Sequence, residues 1–379
     1  MKKTVFALAA LAALGCSGTV LAQSNVTIYG LIDATISTTN NADSKGDRLT
    51  QIPVAWFSGN RIGFRGQEDL GSGLKALFKL EAEYVVGTGA MDTPGVLFNR
   101  DAWVGMQSDA LGRITLGRQN TLARDFAQVY GDAYGSDKLG LEEGGFTNNN
   151  NFKQMIFYAG SATGTRYDNG LVWKKVFDNG LVAGLGYQFG EVAGSFANNS
   201  TKSVALGYNG SNFVLSSFYN EATVGNSLDR STEQHKSYSL GGSYFVNSLI
   251  RLNTGYFHYT AEQGALGKRK DDAYTVSAKL TPQGPFDYEV GYQSMKAHNA
   301  AYNVSGTGTL NAYSNASFST TAGSGKKSTV FGSAFYHLSK RTELYLAADY
   351  MKLTDGYRVA SANGFKNQTE LAVGMRTRF

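Results

Sequence analysis

The 379-residue chain is poor in the residues that would hold it together by covalent or metal chemistry. It has one cysteine, four prolines and four histidines. The single thiol, Cys16, forms no intrachain disulfide, and a lone thiolate builds no zinc site. His235, His258, His298 and His337 are scattered without metal-ligand spacing, so neither a metal nor another cofactor is expected. Long hydrophobic runs are also missing beyond the amino-terminus. No later segment approaches the length of an apolar membrane-spanning helix, which excludes a helical membrane protein. The formal net charge is +5, and removal of Lys2 and Lys3 with a leader leaves +3, too little for a nucleic-acid partner.

The amino-terminus is the exception and carries an address. Met1-Lys2-Lys3 is a basic start, Val5 to Leu14 is unbroken apolar chain, and Val20-Leu21-Ala22 offers a cleavage site. Residues 1–22 are therefore expected to be a signal peptide and 23–379 the mature protein. A lipoprotein reading of Cys16 fails because Leu14 stands one place too close to it in Ala13-Leu14-Gly15.

What the chain has in quantity is glycine, 46 residues, and aromatics, 22 Tyr and 22 Phe. Together with a negative mean hydropathy, this composition suits strands with one face in water and the other in lipid, bounded by aromatic girdles. From Leu74, the residues Leu74, Ala76, Phe78, Leu80 and Ala82 alternate with Lys75, Lys79, Glu81 and Glu83. A period of two with charge on one face only is a strand. The last strand behaves alike: Leu371, Val373, Met375 and Phe379 share a face, opposite Glu370, Arg376 and Arg378. An open sheet edge is not tolerated in hydrocarbon, so the last strand must pair with the first in a closed barrel.

About sixteen such segments are found, at 25–39, 56–69, 74–86, 98–108, 113–119, 166–177, 181–191, 201–209, 212–223, 236–246, 249–260, 272–281, 286–297, 327–338, 343–353 and 368–379. Seven connections are turn-like, among them Leu70-Gly-Ser-Gly73, Phe177-Asp-Asn-Gly180 and Pro282-Gln-Gly-Pro285, and eight longer polar ones alternate with them. The fold class is thus all-β, a 16-stranded antiparallel transmembrane β-barrel with short periplasmic turns and long external loops. A secreted β-sandwich or water-soluble barrel also alternates, but combines poorly with the leader and the terminal aromatic strand.

At this point the residues resemble a family, the trimeric general porins of Gram-negative outer membranes, of the beta-proteobacterial type. Val26-Thr-Ile-Tyr-Gly-Leu-Ile-Asp33, Asn60-Arg-Ile-Gly-Phe-Arg-Gly-Gln-Glu-Asp-Leu-Gly-Ser-Gly-Leu-Lys-Ala76, Leu111-Gly-Arg-Ile-Thr-Leu-Gly-Arg-Gln119, Leu338-Ser-Lys-Arg-Thr-Glu-Leu-Tyr345 and Phe379 carry the likeness. The family's proline-containing turn after the sixth strand reads Phe177-Asp-Asn-Gly180 here. The resemblance implies a homotrimer in the outer membrane, among its lipids and lipopolysaccharide. It also implies insertion by the barrel-assembly machinery, which recognises the terminal Phe379, and passage of ions and small hydrophilic solutes.

The third long loop, Gln119 to Thr165, is the main functional candidate, since a connection of that length in a compact scaffold is usually functional. It carries Asp125, Asp132, Asp137, Glu142 and Glu143 against Arg124, Lys138 and Lys153. In the family this loop folds into the pore and narrows it, facing wall arginines. The matching positions are Arg61, Arg100 and Arg166, with Glu81 nearby. Parity places Arg61 inward opposite the lipid-facing Ile62 and Phe64, and an outward Trp103 would place Arg100 inward.

No enzyme signature is found. His258 and His337 lie on strands without an identifiable third member of a catalytic group. Ala322-Gly-Ser-Gly-Lys-Lys-Ser328 departs from a phosphate-binding loop at Thr320 and Lys327 and reads as a flexible loop entering a strand. Lys268-Arg-Lys270 reads as a solvated loop tip, with contact to anionic lipopolysaccharide as a minor role. The expected function is a passive water-filled channel with a modest preference for anions. A substrate-specific channel and, more remotely, an outer-membrane barrel enzyme are the alternatives.

Overall fold

The computed structural model describes residues 25–131, 135–142, 161–225, 232–302, 321–358 and 363–379. The leader expected at 1–22 lies outside them. The described strands are Asn25–Thr39 (β1), Leu49–Gln51 (β2), Arg61–Gly71 (β3), Leu74–Glu83 (β4), Asp101–Ser108 (β5), Gly112–Asn120 (β6), Arg166–Val176 (β7), Leu181–Gln188 (β8), Thr201–Asn209 (β9), Phe213–Gly225 (β10), Thr232–Phe245 (β11), Ile250–Glu262 (β12), Lys268–Leu280 (β13), Phe286–Tyr302 (β14), Thr321–His337 (β15), Thr342–Leu353 (β16) and Asn367–Arg378 (β17). One short helix, Leu122–Ala127 (α1), follows β6.

Each strand from β3 onward pairs antiparallel with the next, and β1 closes the ring by pairing with both β3 and β17. The short β2 pairs only with Ser37, Thr38 and Thr39 at the end of β1, so sixteen of the seventeen described strands are staves of the barrel. Closure leaves the membrane-spanning part without an edge, as the lipid phase requires. The seven short turns fall where the turn residues predict.

Which face meets lipid is settled by exposure. Val104, Leu116, Leu185, Leu206, Leu215, Leu240, Val276, Val330, Leu346 and Val373 all point outward and are exposed. Their neighbours in the alternation, such as Asp33, Asn253, Glu289, Thr329 and Asp349, are buried on the inner side. A soluble barrel would invert this pattern, with its apolar residues inside. An outward apolar belt around a polar interior is the arrangement of a membrane barrel that encloses water.

Three segments depart from the sequence expectation. The apolar alternation that suggests strand from residue 56 is interrupted up to Arg61. There the Asp33 carboxylate accepts from the backbone amides of Phe57 at 2.9 Å and Ser58 at 2.8 Å. Phe57 is turned inward onto Phe335 and Tyr345, at ring separations of 4.9 and 4.7 Å. Trp56 and Phe57 therefore belong to an interior cluster rather than the lipid face. Second, Lys268-Arg-Lys270 opens β13 instead of forming a loop tip. Arg269 points inward, with its Nε donating to Asp271 Oδ2 at 2.8 Å, while Lys268 and Lys270 are exposed. Third, 322–328 is already strand, paired with β14, with Lys326 exposed and Lys327 buried.

Candidate functional site

The register of three adjacent strands brings charge together on the inner wall. Arg61 lies directly opposite Glu83, and Glu81 opposite Asp101. The Arg100 guanidinium bridges both glutamates, donating from Nε to Glu81 Oε1 and from Nη1 to Glu83 Oε2. Arg61 Nη1 is 3.8 Å from Glu81 Oε1, and its Nε donates to the Gly59 carbonyl at 2.9 Å. Glu81 also accepts from the Tyr29 hydroxyl at 2.8 Å. Lys79 Nζ approaches Glu81 at 3.6 Å but is closer to Asp101, at 2.8 Å. Charge-assisted, partly bidentate contacts of this kind fix side-chain geometry as well as charge.

Arg166 enters from the other side of the third connection. The ladder between β6 and β7 shifts register between Gly117 and Gln119. Gly117 has φ 132°, and a Cβ there would lie 2.2 Å from the Ala102 carbonyl, so only glycine permits this bulge. Beyond it Asn120 pairs with Arg166, whose side chain is buried on the inner wall. Arg166 Nε and Nη2 have no hydrogen-bond partner among the described residues. Arg166 interacts electrostatically with Arg100, Asp101, Glu83 and Glu81, which places it in the same cluster.

A fourth guanidinium comes from α1. Thr121 caps this helix, its hydroxyl accepting from the Arg124 amide at 3.3 Å. Burial, reinforced by the positive charges of Arg166 and Arg100, pushes Arg124 well below the ordinary arginine range. Four arginines thus lie close to three carboxylates, Glu81, Glu83 and Asp101.

The other predicted residues lie further along the third connection. The Asp125 carboxylate accepts from Lys174 Nζ at 2.7 Å and from Asn120 Nδ2 at 3.1 Å. Asp132 lies outside the described residues. Trp103 faces inward, against the outward orientation expected, with the Arg113 guanidinium 5.6 Å from its ring centroid. It lines a lumenal cavity of about 430 Å³ with Tyr29, Arg65, Lys79, Gln107 and Arg113. Arg100 is nevertheless inside, because it precedes β5 and strand parity does not govern it.

The described part of the third connection lies along inward-facing side chains. Ser216 donates to the Phe126 carbonyl at 2.8 Å, Tyr130 to Ser239 Oγ at 2.8 Å, and Gln293 to the Gly131 carbonyl at 3.1 Å. Arg251 donates to the carbonyls of Val129 at 3.0 Å and Gly135 at 2.8 Å and to Asp137 at 2.5 Å. Leu122, Phe126, Val129 and Leu139 pack with Val172, Val182, Ala205 and Val214. Sequence reasoning named Arg124 only as a loop charge, and it did not single out Arg251. Parity alone indicates that Arg251 points inward beside Asn253, but not what it binds.

His258 and His337 both face carboxylates. His337 has Nε2 3.0 Å from Asp287 and Nδ1 3.2 Å from Glu343, so both ring nitrogens are occupied by carboxylates. His258 faces Asp272 at 2.8 Å on the outer face of the barrel.

A closed polar-lined barrel with an arginine cluster on its inner wall has close relatives. The model of the Gram-negative porin family matches residues 7–356. The chain belongs to that family. It is 29% identical to an outer membrane porin protein of Bordetella pertussis, with 100% of both chains covered. To outer membrane porin protein 32 of Delftia acidovorans it is 33% identical, over 50% of each chain. Among solved structures, the anion-selective porin from Comamonas acidovorans superposes with a TM-score of 0.74 at 21% identity, covering 94% of this chain and 100% of that one. This porin is accordingly a channel of the outer membrane.

Proposed function

We propose that this porin is a passive, water-filled diffusion channel for ions and small hydrophilic solutes, weakly selective for anions and without catalytic activity. The observation that carries the reading is the excess of guanidinium over carboxylate at one level of the inner wall: Arg61, Arg100, Arg124 and Arg166 against Glu81, Glu83 and Asp101, the last paired with Lys79, with two nitrogens of Arg166 lacking a hydrogen-bond partner among the described residues. The contacts of 121–142 with β10, β11, β12 and β14 support a third loop that narrows the lumen beside this cluster. The printed name of the Comamonas porin, anion-selective, points the same way.

The rest of the reading follows from kinship with porins. The mature chain begins at Gln23 after removal of a leader, assembles as a homotrimer, and is inserted by the barrel-assembly machinery through its terminal aromatic strand. An outer membrane protein of Vibrio cholerae with the same fold has been solved in a trimer form. Planar-bilayer recording tests the function directly. Large ohmic steps with a reversal potential on the anion side are expected in a KCl gradient. Saturation by a single solute favours a substrate-specific channel, and silence overturns the reading.

A further inference from the structure

The lumenal cavity beside Trp103 has features that simple diffusion does not require. Arg65, Lys79 and Trp103 stand in one row across β3, β4 and β5, one inward position nearer the short turns than the row of Gly63, Glu81 and Asp101. A solute leaving the arginine cluster toward the turns therefore passes it. Two aromatic rings are fixed in the cavity wall. Tyr29 lies over Gly63, where a Cβ would be 2.5 Å from the ring, and its hydroxyl is tied to Glu81 at 2.8 Å. Trp103 is buried. Each ring carries a guanidinium, with Arg65 5.3 Å from the Tyr29 centroid and Arg113 5.6 Å from that of Trp103. Leu77, on the intervening strand β4, adds an aliphatic surface.

Charge in this cavity is not balanced. Lys79 is paired with Asp101 at 2.8 Å, but Arg65 makes no ion pair among the described residues. The ion pair of Arg113 is with Glu142 of the third connection, Nη1 to Oε1 at 3.5 Å; the Arg113 side chain is 6% exposed and that of Glu142 86%. An ion pair with so exposed a partner contributes little. Glu142 thus marks where a carboxylate sits without holding the place firmly. An acid seated at Arg113 brings whatever it carries against Trp103, Leu77 and the stack of Arg65 on Tyr29. Indole and guanidinium faces both favour a flat π-system. A hydrated inorganic anion would satisfy the charge and leave those surfaces wet. The cavity, about 430 Å³, has the size of a site for a small organic molecule.

We propose that this cavity is a subsite for small aromatic monocarboxylates, the carboxylate replacing Glu142 at Arg113 and the ring lying between Trp103 and the Arg65 guanidinium. The subsite rests on the channel reading and names a solute class for it. Filling is weak, so other solutes still pass. Saturation-transfer NMR of the refolded protein in detergent, with the signal of empty micelles subtracted, measures binding whether or not the barrel conducts. Benzoate is the probe, at constant ionic strength. Cyclohexanecarboxylate keeps the charge without the flat ring, and phenol keeps the ring without the charge. Benzoate is expected to saturate, and both controls to bind several-fold more weakly. R113Q should weaken benzoate about tenfold, the scale of one lost charge-assisted hydrogen bond. W103L should weaken benzoate but not cyclohexanecarboxylate. E142Q, which removes the competing carboxylate, should tighten benzoate about threefold, the scale of an exposed ion pair. Benzoate affinity unchanged in R113Q overturns the site; equal binding of cyclohexanecarboxylate overturns the aromatic class; no change in E142Q overturns the replacement. Heat-shifted gel mobility verifies folding, and R65Q, at an exposed side chain, gives the same test should R113Q not fold. Bilayer recording of the parent separates the two readings. Failure of the channel reading leaves silent bilayers with benzoate still bound, whereas failure of the subsite leaves KCl steps and no saturable benzoate binding.

Discussion

The ring of Phe379 lies across the backbone of Gly30, so that a Cβ at Gly30 would sit 2.2 Å from Phe379 Cζ and 2.7 Å from the Arg61 carbonyl. The same two residues exchange backbone hydrogen bonds, each 3.1 Å long, that continue the β1–β17 ladder to the last residue. Barrel closure thus ends on a pair in which one partner has no side chain and the other covers it. The ring is free to swing away, but the Arg61 carbonyl belongs to the neighbouring strand. Gly30→Val should therefore lower the folded fraction after refolding into detergent, read as loss of the heat-modifiable gel band. Deletion of Phe379 should do the same and reduce surface levels in cells, since it removes both bonds from the closing seam.

Selectivity should follow the arginines. At about 10 Å and aqueous dielectric a unit charge acts on a passing ion with roughly 0.4 kcal/mol, so removing two of four biases permeation by just under 1 kcal/mol. Arg61→Ser with Arg166→Ser is expected to move the reversal potential toward cations, most clearly in dilute salt. At physiological ionic strength the Debye length of about 8 Å screens much of the effect. An unmoved potential would place these side chains away from the conducting path.

Glu81 should act in the opposite sense. It accepts from Arg100 and Tyr29 and lies near Arg61 and Lys79. Glu81→Gln removes one negative charge and loosens the cations it holds, so anion preference should rise. The cost is local stability, because buried cations then lose a counter-charge. The combination of a stronger anion bias and a lower unfolding temperature is expected; a shift toward cations would contradict the geometry.

Much of this was legible in sequence, and the limits are physical. Strand parity places Arg61, Glu81 and Glu83 inward because a period of two is rigid over a strand. It also finds all seven turns, where Gly, Asn, Asp and Pro mark reversals. Parity fails where the chain leaves the ladder. Arg100 precedes its strand, Phe57 is drawn inward by the Asp33 carboxylate, and the glycine bulge at Gly117 resets the alternation before Arg166. Trp103 misleads for another reason: a large aromatic is expected in lipid, yet here it lies beneath the Arg113 guanidinium. The Asp125 carboxylate binds Lys174, a contact 49 residues apart that local pattern does not encode.

Asp33 should prove structural rather than electrostatic. Its buried carboxylate accepts from the amides of Phe57 and Ser58 and from the Tyr345 hydroxyl at 2.5 Å. Asp33→Ala releases the segment before β3 and exposes three donors without a partner, a loss on the order of 3 kcal/mol. A lower unfolding temperature and added open-channel noise are expected, with the reversal potential little changed.

Arg251 offers the sharpest test of what positions the third loop. One guanidinium joins the wall strand β12 to the carbonyls of Val129 and Gly135 and to the Asp137 carboxylate, and its Nε is fixed by Asn253 Oδ1 at 2.8 Å. Carbonyls in a loop have no ladder to satisfy them, so this fork replaces strand partners for that stretch of chain. Arg251→Ala should leave the barrel closed, because the β11–β12 and β12–β13 ladders do not depend on the side chain. The loop should then sample positions away from the wall. Single-channel recordings are expected to show frequent transitions among sub-conductance levels where the parent is steady, with an unfolding temperature close to the parent's. Arg251→Lys keeps the charge but not the fork and should restore the Asp137 contact only, giving intermediate noise. Quiet, parent-like traces from Arg251→Ala would mean that the packing of Leu122, Phe126 and Leu139 alone holds the loop in place.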